Sequence, residues 1–243
     1  MTNEPLYAVG DIHGHLDQLE HVLELIVRDG GETSEIVFLG DLVDRGPNSS
    51  AVIQMLMDGQ IAGRPWHVLK GNHDRMFSRF LADATIHDPR ILSRKSWLHP
   101  VMGGLNTLAS YGVDTRENRK TADLHAEART CVPKEHLAFV ANLPVFLERG
   151  DLLFVHAGIV PGVPLDEQSE DDLIWIRDPF LNFSDPHPWL IVHGHTAIEM
   201  PHHFGNRIDL DGGAGRGRDL YPAVFEGKDC WLLTEGGRIP LVP

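Results

Sequence analysis

The chain has 243 residues, 42% of them apolar, enough for a full hydrophobic core, and its 21 lysines and arginines face 35 aspartates and glutamates for a formal net charge of -14. So acidic a surface repels nucleic acid and anionic membrane, and any site for an anion must be a local concentration of positive charge. The longest charge-free apolar stretch, Leu137 to Leu147, is far short of the roughly 20 residues a membrane helix needs, and MTNEPLYAVGD shows neither a signal nor a transit peptide. Cys131 and Cys230 form no CxxC pair, so a soluble cytoplasmic chain with two reduced thiols is expected.

Leu6 to Val9 is an apolar run that stops at GDIHGH, after which Leu16, Leu19, Leu23 and Ile26 recur at helical spacing. This order of strand, polar loop and helix then repeats twice. Ile36 to Leu39 enters GDLVDRGP ahead of Val52, Met55 and Leu56, and Trp66 to Leu69 enters KGNHD ahead of Met76, Phe77, Phe80 and Leu81. Three such units predict an α/β fold with parallel strands, whose ligands bind just beyond the carboxyl ends of those strands.

From Ala82 to about Lys134 the pattern is irregular and polar, with HPVMGGLNTLASYG at its middle and a helix-like stretch from Asp123 to Thr130. The segment 82–134 is expected to elaborate the site within one domain spanning 1–243. After Asn142 the apolar runs are short and closely spaced, at Val145–Leu147, Leu152–Val155, Trp189–Val192, Ile208–Leu210, Ala223–Phe225 and Trp231–Leu233, which predicts a strand-rich second half. Two of these runs end in HAG, from His156, and HGHT, from His193. His193 is expected to pack or hydrogen-bond beside the site, and the pair His202 and His203 to lie in a surface loop. DLDGGAGRGRDL, Asp209 to Leu220, lacks the Lys-Ser/Thr of a P-loop and is expected to turn at the rim of the site, where Arg216 and Arg218 add positive charge.

The five polar loops contribute Asp11, His13, Asp41, Asp44, Arg45, Asn72, His73, His156 and His195, each a metal-ligand type, an acid/base group or a phosphate binder. Turn chemistry alone accounts for one Gly-Asp pair at a strand end, but poorly for five loops in the same topological position. Carboxylates beside imidazoles, with no cysteine, suit Mn, Fe or Zn in oxygen and nitrogen coordination. The candidates exceed the three or four ligands of a single ion, so two ions are expected, with Asp41 placed to bridge them.

GDIHG, GDLVDRG, GNHD, HAG and GHT, in this order and spacing, resemble the metallophosphoesterase superfamily, and within it the phosphoprotein phosphatase branch with its small bacterial and phage serine/threonine phosphatases. The resemblance runs from Leu6 to Gly227. It implies a four-layer calcineurin-like sandwich, two mixed sheets flanked by helices, with a dinuclear site along one edge. It also implies Asp11 and His13 on one ion, Asn72, His156 and His195 on the other, and Asp41 on both. Arg45 and, from LIWIRDPF, Arg177 would bind the substrate phosphate, while His73 would protonate the leaving oxygen and Asp44 would orient His73. The implied activity is hydrolysis of phosphoserine or phosphothreonine in proteins by a metal-bridging hydroxide, with two divalent ions, Mn first and Fe or Zn as alternatives. A phosphorylated small molecule is the other substrate class.

The physical case runs beside the resemblance. Phosphate monoesters are among the slowest substrates to hydrolyse unaided, so several catalytic terms must add. Arginine offers a planar fork that matches two phosphate oxygens and stays charged. A serine alkoxide leaves poorly without a proton, which a carboxylate-held histidine can deliver. Ala197 stands where phosphodiesterases of the superfamily carry the second histidine of GHxH, which favours monoesters. The alternative is a symmetrical bis(5'-nucleosyl)-tetraphosphatase, whose loop resembles GDLVARG where this chain keeps Asp44. The tail that regulatory subunits grip in eukaryotic relatives has no counterpart in the motif-bearing region, and a monomer is expected.

Overall fold

Alternation along the strands sorts their side chains between two apolar layers. In β1 (Leu6–Val9), Tyr7 and Val9 face one layer and Ala8 the other; in β5 (Leu152–Val155), Leu153 and Val155 are divided from Phe154 in the same way. The computed structural model describes residues 5–243. One sheet has the order β11 (Gly237–Pro240), β10 (Asp229–Thr234), β9 (Pro222–Glu226), β1, β2 (Glu35–Phe38) and β3 (Trp66–Val68). The other runs β4 (Phe146–Arg149), β5, β6 (Leu190–His193), β8 (Arg207–Asp209) and β7 (His202–His203).

The layer between the sheets is built from both: Ala8, Val37 and Phe225 of the first meet Phe154, Val192 and Ile208 of the second. Phe154 and Phe225 touch edge to face with ring centroids 5.7 Å apart. The larger layer joins the other sheet faces to helices, chiefly α1 (Leu16–Gly30), α2 (Ser49–Ile61) and α3 (Asn72–Asp83). The fold is therefore α/β, with two mixed sheets flanked by helices. Strands β1, β2 and β3 are mutually parallel, as are β5, β6 and β8, and the loops beyond the carboxyl ends of β1, β2, β3, β5 and β6 meet at one edge.

Several elements differ from expectation. The buried stripe of α1 is Leu19, Val22, Leu25 and Ile26, with Leu16 and Leu23 at its margins. Asn72 and His73 open α3 and so stand in a helical first turn and not in a loop. His202 and His203, expected in a surface loop, form β7 against β8, and His203 is buried. A two-residue strand is too short to show a period, which is why the pattern missed it. The segment after α3 holds α4 (Gly104–Ser110) and α5 (Thr121–Cys131) before α6 (Lys134–Ala141), and a further helix, α7 (Glu170–Trp175), leads to Arg177. None of the described helices is long and apolar enough to cross a membrane.

Candidate active site

Left-handed backbone marks the site. Eight described non-glycine residues have positive φ, and five of them are His13, Asp41, Asp44, Arg45 and His195, with φ of 49°, 50°, 74°, 66° and 67°. Such conformations cost about 1–3 kcal/mol each and persist where the surroundings over-determine them. Here the loops are sewn together: the His13 N–H donates to the Asp41 carbonyl (2.8 Å), the Gly46 N–H to the His13 carbonyl (2.8 Å) and the Gly14 N–H to the Leu42 carbonyl (2.9 Å). Gly71 precedes α3 so closely against Asp41 that any Cβ would collide with the carboxylate. The absence of a side chain there brings the Asn72–His73 turn onto Asp41.

Asp41 lies between two groups of donors. Its Oδ2 is 3.6 Å from His13 Nε2, which is 3.9 Å from Asp11 Oδ2. Its Oδ1 is 3.5 Å from His156 Nε2, which is 3.0 Å from Asn72 Oδ1. One ligand atom from each of Asp41, His156 and His195 lies within 4.8 Å of the others, and the same holds for Asp41, His13 and His73. The tautomers of two histidines are fixed from behind. Nδ1 of His13 donates to the Val43 carbonyl at 2.8 Å and Nδ1 of His156 to the Leu39 carbonyl at 2.9 Å, which leaves both Nε2 lone pairs for the site. Nε2 of His195 is buried without a partner.

The electrostatics favour a cation. Burial first, and then Arg45, holds His13 well below the ordinary imidazole range; burial and then His156 do so for His195, and burial lowers His156. These rings are neutral and ready to ligate. Burial, Asp211 and Asp41 push Asp11 well above the usual carboxylate range. Buried carboxylates facing neutral imidazoles, with an orphaned Nε2 among them, are the donor set of borderline divalent ions. The residues present fit two such ions: Asp11, His13 and Asp41 for one, and Asp41, Asn72, His156 and His195 for the other.

His73 and Asp44 form a separate unit. Nδ1 of His73 lies 2.6 Å from Asp44 Oδ2, which places its Nε2 on the side of Arg45. Arg45 reaches inward and donates to Nε2 of His13 (2.8 Å) and of His73 (3.1 Å). A cation on His13 needs that same lone pair, so a bound cation and the Arg45–His13 bond exclude each other. The cleft above holds about 360 Å³ and is lined by Arg45, Arg90, Arg177 and Arg216 beside Asp41, His73 and Trp175. Burial lowers Arg177, whose guanidinium shares this space. Arg218, by contrast, is absent from the cleft wall and packs against Gly213. His193 stays behind the site, where it packs on Phe180 at 5.1 Å and faces the Arg207 guanidinium at 3.2 Å; burial pushes it down to about 3.

Four residues at the site carried no sequence signal of their own. Asp74 accepts the N–H groups of Leu42 (2.9 Å) and Gly71 (2.8 Å) and ties the second loop to α3; burial and then Asp41 push it up to about 7. Arg90 reaches the cleft from the segment after α3, braced by Asp172 at 2.6 Å. Trp97 and Thr107 both bond the Asp44 carboxylate. Asp74 lies within GNHD and Thr107 within HPVMGGLNTLASYG, but neither motif assigned its residue a role.

Known proteins share this fold. The asymmetrical bis(5'-nucleosyl)-tetraphosphatase PrpE of Bacillus velezensis is 26% identical over 236 residues, covering 87% of this chain and 85% of the relative. A crystal structure of a candidate diadenosine tetraphosphatase superposes with a TM-score of 0.67 at 21% identity, covering 99% of this chain and 95% of the other. The cold-active protein-tyrosine phosphatase of a Shewanella species gives a TM-score of 0.62 at 18% identity, covering 98% and 80%. Likeness at those identities establishes the shared fold. The model of the family described as calcineurin-like phosphoesterase matches residues 4–214, which contain every candidate ligand and both expected phosphate-binding arginines. The chain therefore belongs to the calcineurin-like phosphoesterase family.

Proposed function

We propose that the protein is a dinuclear metal-dependent phosphomonoesterase that hydrolyses phosphoserine or phosphothreonine in proteins. The observation that carries this reading is the 2.6 Å bond between His73 Nδ1 and the fully buried Asp44 carboxylate, which aims Nε2 toward the cleft. A proton donor held this firmly matters where the leaving group is a poor one. A seryl or threonyl alkoxide needs a proton as its bond to phosphorus breaks, whereas a nucleoside polyphosphate leaves readily without one.

Two divalent ions, when bound, supply activation of the attacking water and neutralise charge on the phosphoryl group. The remaining work falls to the chain. Asp11, His13, Asp41, Asn72, His156 and His195 hold the ions, and Mn is the first candidate. Arg45, released from His13, and Arg177 grip two phosphate oxygens, for which a guanidinium fork is shaped. Once Arg45 turns to the phosphate, the freed Nε2 of His73 takes a proton from solvent and gives it to the leaving oxygen, while Asp44 keeps the ring in register.

A second reading, hydrolysis of a dinucleoside tetraphosphate, is favoured by a different observation. Four arginines line the cleft, more than one phosphate monoester engages, and the relative from Bacillus velezensis carries that activity in its name, in the asymmetrical form. The test is a side-by-side comparison of kcat/KM with Mn²⁺ on a phosphoserine peptide and on diadenosine tetraphosphate. A higher value on the peptide is expected. Preference for the dinucleotide overturns the phosphomonoesterase reading, and its products, ATP with AMP or two ADP, then report which anhydride bond is cut.

A further inference from the structure

The segment between α3 and α5 does more than overlie the cleft. Trp97 Nε1 donates to Asp44 Oδ2 at 2.7 Å, the same oxygen that receives His73 Nδ1, and the Thr107 hydroxyl donates to Asp44 Oδ1 at 2.6 Å. Asp44, Trp97 and Thr107 are all fully buried. Three of the roughly four lone-pair positions of the carboxylate are thus filled by fixed donors, and among these Asp44 bonds none comes from lysine or arginine.

Each donor also fixes something else. The Thr107 oxygen accepts the Asp44 backbone N–H at 2.8 Å, so one side chain reads both the backbone and the carboxylate of a residue held at φ 74°. Trp97 packs on Phe77 and Phe80 of α3, with ring centroids 6.1 and 4.9 Å away, and α3 is the helix that carries His73 in its first turn. Trp97 therefore touches the support of the histidine and the carboxylate that orients it.

We propose that Trp97 and Thr107 are positioning residues that lock the Asp44 carboxylate and, through it, hold the His73 ring where its Nε2 can protonate the leaving oxygen. The proposal rests on the proposed role of His73 as the proton donor. A carboxylate bonded at both oxygens by its surroundings cannot rotate to follow Arg45 when that guanidinium turns toward phosphate, so the imidazole keeps its aim as the cleft fills.

A leaving-group comparison on the metal-loaded enzyme tests this. The substrates are a phosphoserine peptide, whose alkoxide needs a proton, and p-nitrophenyl phosphate, whose phenolate does not. His73→Asn should depress kcat on the peptide far more than on the aryl ester. Thr107→Val and Trp97→Phe should show the same signature in smaller size, about tenfold or more on the peptide and less than about threefold on the aryl ester, a part of the roughly 10²–10⁴-fold that general acid catalysis contributes in full. Metal content should be retained, and Thr107→Ser, which keeps the hydroxyl, should restore the peptide rate.

Equal loss on both substrates in His73→Asn overturns the proton-donor reading itself. The leaving-group signature in His73→Asn without it in Thr107→Val and Trp97→Phe overturns the positioning proposal alone. Should Trp97→Phe fail to fold, because it also removes packing on Phe77 and Phe80, the contrast between Thr107→Val and Thr107→Ser decides the matter.

Discussion

Asp41 offers one carboxylate oxygen to each of two histidines: Oδ2 lies 3.6 Å from Nε2 of His13 and Oδ1 lies 3.5 Å from Nε2 of His156. A residue shared in this way cannot be changed at one ion without the other. Asp41→Asn should therefore lower the content of both metals and reduce turnover by orders of magnitude, whereas His73→Asn should keep its metal. Metal analysis of the two purified variants checks this, and full metal content in Asp41→Asn would contradict the shared position.

The arginines differ in what they are expected to do. Arg45→Lys loses the fork that spans two phosphate oxygens, and a charge-assisted bond contributes about 1.5–3 kcal/mol. Its kcat/KM should fall roughly 10- to 100-fold on any substrate. Arg216, exposed at the cleft wall, should matter more for a substrate with several phosphates. Arg216→Ala is expected to cost more on diadenosine tetraphosphate than on a phosphopeptide, and equal losses in a paired assay would remove that distinction.

The buried imidazoles make the metal-free protein acid-sensitive. His13, His156 and His195 are held below their ordinary values, chiefly by burial, so the native state refuses protons that the unfolded chain accepts below about pH 6.5. Their contribution to stability is present above that pH and is lost as the pH falls, by about 1.4 kcal/mol per unit for each ring that stays neutral in the native state. Asp11, Asp74, Asp209 and Asp211, whose folded values are raised chiefly by burial, take up protons in the native state as the pH falls and oppose that loss. Imidazole NMR of stripped protein should show His13, His156 and His195 less than half protonated at about pH 6.5, where a free imidazole is half protonated; half or fuller protonation there contradicts the assignment of neutral rings.

The two sheets depend on a few large contacts. Phe154 is fully buried against Phe225 between them, and Phe154→Ala should destabilise the fold by about 3–5 kcal/mol. A denaturation midpoint unchanged from wild type would show that this layer does not carry the fold as described.

The metal-binding edge was legible in the sequence because its chemistry sits in contiguous motifs. Asp11 and His13 lie in one loop, and Asp41, Asp44 and Arg45 in another, each at the carboxyl end of a strand whose apolar run could be counted. Trp97 and Thr107 were not legible. They reach Asp44 from 53 and 63 residues away through an irregular stretch, and only folding brings an indole and a hydroxyl onto that carboxylate. The inward turn of Arg45 onto His13 is likewise invisible to spacing, since it depends on rotamers and on what else occupies the site. β11 escaped notice for a simpler reason: GRIP mixes exposed and half-buried positions at a sheet edge and shows no alternation.

The most direct measurement is a titration of metal-stripped protein with Mn²⁺ while phosphate release from a phosphoserine peptide is followed. With Asp41 shared between two donor groups, activity should reach its plateau at two equivalents per chain. A plateau at one equivalent, or turnover by the stripped protein, would contradict the dinuclear account.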